Sequence, residues 1–149
     1  MVHSLICSGN LMVNIKTRST IIGTPIEQKR PDYPIEAIYQ LVRNAVLHRT
    51  YEATNAPIRI FWFSDRIEIS SPGGLFGQVT AQNFGTVADY RNPHIAEVMK
   101  NLGYVQRFGV GISIAKAQMK RNGNPEPLFQ FDDNHVLVTM RSNIEEEKL

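Results

Sequence analysis

Gln40, Asn44 and His48 stand at successive four-residue steps, a spacing that sets their side chains on one stripe of a helix. At about 100° per residue the stripe borders the apolar face of Ile38, Leu41, Val42 and Ala45, so its polar tips point along the edge of the core and into whatever cleft lies there. An asparagine in that place can ligate a hydrated metal ion or bond a phosphate. The alternative is that Asn44 caps a neighbouring loop and His48 snorkels. Two glycine sites carry complementary chemistry: Gly73-Gly74 follows a strand and Gly109-Val110-Gly111 opens a helix. Glycine lets backbone approach a ligand closely, and the amides at a helix start form an anion site. The alternative for each is a tight turn.

The elements that must position these groups follow from pattern. Pro34 suits the first turn of a helix whose apolar periodicity then runs to His48. Pro57 to Phe63 alternates, with Ile58, Ile60 and Trp62 on one face; Ser64-Asp65 turns the chain into Arg66 to Ser70, where Ile67 and Ile69 point the same way, giving a β-hairpin. Ser71 to Tyr90 has no period and reads as a long loop of the kind that serves as a lid or binding loop. Asn92-Pro93 predicts an N-cap and first helical residue, Ile95, Val98, Met99 and Leu102 fall at helical spacing, and Gly103 fits the residue after the helix. A further helix runs from about Gly111 to Arg121, closed by Asn122-Gly123. Leu128 to Phe131 and His135 to Met140, joined by Asp132-Asp133-Asn134, make a last hairpin. Hairpins separated by helices predict an α/β (α+β) two-layer sandwich, a mixed or largely antiparallel sheet covered on one face by helices.

Composition narrows the classes. The chain has 149 residues, 42% apolar and 20% charged, with a net charge of +2, which suits one domain. No run approaches the 18 or so apolar residues of a membrane span, and the start lacks the charged segment and apolar core of a signal peptide, so a cytoplasmic location is expected. Cys7 has no cysteine partner and is expected as a small buried apolar residue. His3, His48, His94 and His135 have no metal-ligand spacing, which argues against zinc. Gly9 precedes Lys16-Thr17, but no glycine stands at Ile15, so the phosphate loop of motor ATPases is absent. Residues 1–34 alternate short apolar runs with Gly9, Gly23, Pro25, Pro31 and Pro34 and read as a connecting segment. Residues 35–141 read as the domain and 142–149 as a charged tail.

Several motifs then occur in order: Asn44-Ala45 with His48-Arg49 and Tyr51, the hairpin 58–69, Pro72-Gly73-Gly74-Leu75, Arg91-Asn92-Pro93, Leu102-Gly103-Tyr104-Val105, and Phe108-Gly109-Val110-Gly111-Ile112. This ordered set resembles the C-terminal domain of the RecG-related transcriptional regulators, a divergent branch of the GHKL (Bergerat) ATP-binding superfamily of gyrase, Hsp90, histidine kinases and MutL. The resemblance runs from about Tyr33 to about Met140. It implies ATP and magnesium as cofactors, with Asn44 binding magnesium only together with nucleotide, and Asn44, His48, Arg49, Ser71, Gly73, Gly74, Gly109 and Gly111 around them. It also implies a nucleic-acid-binding module upstream, outside this chain, through which DNA is the partner.

Three positions depart from the superfamily. Its members carry a glutamate four residues before the asparagine as general base; here Gln40 stands there, and a carboxamide cannot accept the proton. An aspartate that accepts from the adenine amino group is replaced by Ser71. The family's His-Arg-Asp-Tyr reads His48-Arg49-Thr50-Tyr51. The resemblance therefore implies a regulatory domain that binds ATP weakly or not at all and does not hydrolyse it. An active ATPase using Glu36, one turn before Gln40, is the alternative, and a homodimerising module with a relic pocket is another. Lys116, Lys120 and Arg121, with Arg43 and Arg49, read as solvated helix faces or as phosphate contacts.

Overall fold

The computed structural model describes residues 3–5, 15–21, 27–104 and 109–143. Cys7, the stretch 105–108 and the tail from 144 onward lie outside them. The chain runs β1 (His3–Leu5), β2 (Thr17–Ile21), β3 (Glu27–Pro31), α1 (Ile35–His48), β4 (Arg59–Trp62), β5 (Arg66–Pro72), α2 (Pro93–Asn101), α3 (Gly111–Asn122), β6 (Leu128–Phe131) and β7 (His135–Arg141). The main sheet is five-stranded in the order β1-β4-β5-β7-β6, and β2 and β3 pair separately. Every pairing between these strands is antiparallel.

Register follows from burial. Ile60 faces Ile69, Ile69 faces Val138, and Ile67 faces Met140, so alternate residues of β4, β5 and β7 build one apolar face. A slip of one residue would turn that whole set to solvent. Against this face lies α1, through Ala37, Ile38, Leu41 and Ala45, and beside it α3, through Ile112, Ala115 and Met119. The helical layer covers one side of the sheet, as the sequence predicts.

Both helix boundaries at α1 also agree with expectation: Pro34 holds the N-cap position with extended backbone, and the helix ends at His48. Asn92 occupies the N-cap position of α2, but its side chain makes no cap bond. Its amide instead donates to the carbonyls of Leu47 and Arg49 at 2.9 and 2.6 Å, tying the start of α2 to the end of α1. The apolar residues of α2 do not all face inward. Ala96 and Met99 are buried, whereas Val98 is 54% and Leu102 64% exposed.

The described residues of 1–34, expected as connecting chain, contain strands. β1 lies on the edge of the main sheet against β4, a pairing that no local pattern in His3–Leu5 announces. A polar latch secures the entry to α1: the buried Asp32 carboxylate accepts from the amides of Lys16 and Tyr33, while Asn124 donates to the carbonyls of Asp32 and Arg141. The order extends two residues into the expected tail, since the Ser142 amide donates to Asp65 and the Asn143 carboxamide to Pro31.

Candidate functional site

One hollow opens where α1, the end of β5, β7, the start of α3 and the long loop 73–90 meet. Its volume is about 110 Å³, against the roughly 10–15 Å³ that one water needs on the same measure, so side chains do not plug it. Gln40, Asn44 and His48 line it from α1, Ser71 from β5, Gly73 and Gly74 from the loop, and Gly109 and Gly111 from the start of α3. Groups up to 71 positions apart in the chain thus converge on one space.

Their local chemistry differs. The Asn44 carboxamide is half-buried, lines the hollow and caps no loop among the described residues. The Gln40 carboxamide donates to the Glu36 carboxylate at 2.6 Å, and its Oε1 lies 3.1 Å from where a Cβ on Gly111 would stand. The bare α-carbon of Gly111 therefore lets α3 start against α1. Glu36 does not line the hollow. The α3 helix opens at Val110 without a side-chain cap, which leaves its first amides for water or a ligand.

Ser71 is buried and its hydroxyl donates to the Ala45 carbonyl at 3.1 Å. That bond directs its proton to α1 and away from a ligand. The glycine pair is fixed by backbone crowding. Gly73 has a φ of +101° and packs on Thr50, while a Cβ on Gly74 would stand 2.7 Å from the Asp132 carbonyl oxygen and 2.9 Å from that of Asp133. The turn between β6 and β7 is thereby seated on the loop, and the Gly73 amide donates to Asn134.

His48 stacks on Tyr90, ring centres 5.6 Å apart and 20° from parallel. Burial, and secondarily the nearby Arg91 charge, hold its pKa below the usual imidazole value, so the ring is neutral at neutral pH. Arg49 is not part of the hollow. It follows the last helical residue with extended backbone, leaves the stripe of α1, donates to the carbonyls of Thr54 and Ala56, and lies 4.7 Å over the Tyr51 ring. These contacts make it a brace for the chain after α1.

The loop 71–90 brings residues that the sequence reading did not select. Asp89 is the carboxylate among the lining residues, and its Oδ2 accepts from the Gln78 amide at 3.1 Å. Phe84 also lines the hollow, with its ring 4.9 Å from Phe129 and 4.7 Å from Phe131. Arg91 donates to the Gly74 carbonyl at 3.0 Å and covers the Phe76 ring at 4.8 Å. The aperiodic composition marked the segment as a binding loop but gave no signal for which residues turn inward.

A metal held by protein carboxylates and imidazoles alone does not fit: among the described residues no three His, Cys, Asp or Glu side chains cluster suitably. No helix among the described residues is long and apolar enough to cross a membrane.

Residues 55–140 match a family model described as "Putative ATP-dependent DNA helicase recG C-terminal". The DIP2311 protein from Corynebacterium diphtheriae has a similar solved structure, with a TM-score of 0.80 and 25% sequence identity over 89% of this chain and 27% of that one. The chain thus spans about a quarter of that protein's length. No curated protein matches.

Proposed function

This chain belongs to the RecG C-terminal family of ATPase-like domains, and from that premise we propose that it is a nucleotide-binding regulatory domain of GHKL type that holds ATP with magnesium and does not hydrolyse it. The observation that carries the reading is the convergence of Asn44, the Gly73-Gly74 turn and the Gly109–Gly111 helix start on one open hollow. The family match begins after α1, so the role of Asn44 stands on this geometry.

In this reading Asn44 offers its carboxamide oxygen to the hydrated magnesium ion, and the uncapped start of α3 receives the phosphates. Bound magnesium supplies charge neutralisation of those phosphates. Hydrolysis is absent because Gln40 lacks a basic oxygen and is bonded to Glu36, while Glu36 is not among the described residues that line the hollow. The wider role is that of a ligand-responsive part of a DNA-binding transcriptional regulator, with DNA contacted through an upstream module.

Calorimetry with ATP and magnesium, paired with a phosphate-release assay on the same sample, tests the reading. Saturable heat without phosphate release is expected. Absence of heat on a folded sample contradicts binding, and steady phosphate release abolished by Asn44→Ala contradicts the non-hydrolysing part.

A further inference from the structure

Four arginines of the described residues lie over aromatic rings, and they divide in a telling way. Arg66 covers Phe63 and is paired with Glu68 and Asp65. Arg49 covers Tyr51 and donates to backbone carbonyls, and Arg91 covers Phe76 and donates to Gly74. Arg43 lies 5.5 Å from the Tyr39 ring centre and 5.7 Å from that of Tyr104, yet among the described residues it has no hydrogen-bond acceptor and no carboxylate. Among the described residues it is also the one arginine or lysine that lines the hollow.

A guanidinium has five N–H donors in a planar fork. Stacking on rings engages its faces and holds the fork in orientation, which leaves the in-plane donors for a planar or tetrahedral oxyanion. Tyr39 is one turn before Arg43 on α1, and Tyr104 follows the end of α2, so two separate elements fix the group. Arg43 is half-buried, and among the described residues no side chain or carbonyl accepts from its donors, so an anion entering the hollow would meet them in place of water.

We propose that Arg43 is the anion-recognition residue of the hollow, donating through its fork to a phosphate group of the ligand, with Tyr39 and Tyr104 as positioning residues. This rests on the nucleotide reading for the rest of the ligand but concerns the phosphate alone. Phosphate could arrive on a nucleotide or as free polyphosphate, and the test separates the two.

Calorimetry with ATP, adenosine and tripolyphosphate, each with magnesium, is run on the native chain and on Arg43→Gln, Arg43→Lys and Tyr39→Leu variants whose folding is checked by thermal melting. Loss of the fork is expected to weaken ATP binding about tenfold or more, with Arg43→Lys recovering part and Tyr39→Leu intermediate. Binding of tripolyphosphate but not ATP, lost in Arg43→Gln, supports the inference and removes the nucleotide reading. ATP bound equally by native and Arg43→Gln protein overturns the inference and leaves that reading standing. Adenosine bound as tightly as ATP overturns it too, and absence of binding by all probes overturns both.

Discussion

The Gln40 carboxamide donates a 2.6 Å hydrogen bond to the Glu36 carboxylate one helical turn earlier, and this pair governs what a restored base could do. Placing a carboxylate at position 40 removes the donor and sets two acids at hydrogen-bond distance, so they share a proton and their joint affinity for it rises. Gln40→Glu is therefore expected to destabilise by about 1–2 kcal/mol near neutral pH. Because the paired acids hold their shared proton more tightly than a lone carboxylate, the deficit shrinks as pH falls toward the ordinary carboxylate range and is gone below it. The double swap Glu36→Gln with Gln40→Glu keeps one donor and one acceptor and should regain the loss. Denaturant unfolding at pH 4 and pH 7 measures both, and a deficit that persists unchanged at low pH would contradict the shared-proton explanation.

His48 gives a second pH dependence of opposite sign. Its folded pKa lies below the ordinary 6.5 because burial and the Arg91 charge disfavour the cation. Protonation accordingly favours the unfolded chain: the His48 contribution is fully present above about pH 6.5 and is lost as pH falls through the lower folded value. Thermal melts between pH 7.5 and 5 should show this decline, and His48→Gln should flatten it. An identical slope in the variant would assign the effect elsewhere.

The Gly74 contact predicts a steric cost. A methyl there meets two backbone carbonyl oxygens at 2.7 and 2.9 Å, groups that cannot rotate away, so Gly74→Ala should cost about 1–3 kcal/mol and loosen the turn between β6 and β7. Gly103→Ala is the control: its φ of +76° is strained for alanine but nothing lies within 4 Å, and the cost should be about 1 kcal/mol. Equal costs by denaturant unfolding would show that crowding at Gly74 is relieved by movement.

The sequence revealed those parts of the fold whose signals are local. The apolar period of α1 and the alternation through Ile60, Ile67 and Ile69 each report burial directly, which is why both helices of the inner layer and both hairpins of the sheet could be read. The stripe Gln40, Asn44 and His48 was legible because helical geometry fixes it. Arg49 was named from the resemblance alone, and no spacing in the sequence shows that its side chain runs back to the Thr54 and Ala56 carbonyls. β1 was invisible since a three-residue edge strand takes its partner from β4 rather than from its own composition. Asp89 and Phe84 escaped because an aperiodic loop folds by long-range packing, here Phe84 against the rings of β6. The like appearance of Val98 and Met99 in α2 hid that only the second is buried.

Titrating isotopically labelled protein with ATP and magnesium while following backbone amide shifts tests the central claim most directly, because it locates the ligand as well as detecting it. Saturable shifts confined to 40–48, 73–90 and 109–112, and absent in Asn44→Ala, are the expected result. Shifts clustered away from those segments, or an unchanged spectrum at millimolar nucleotide, would contradict a shared nucleotide hollow.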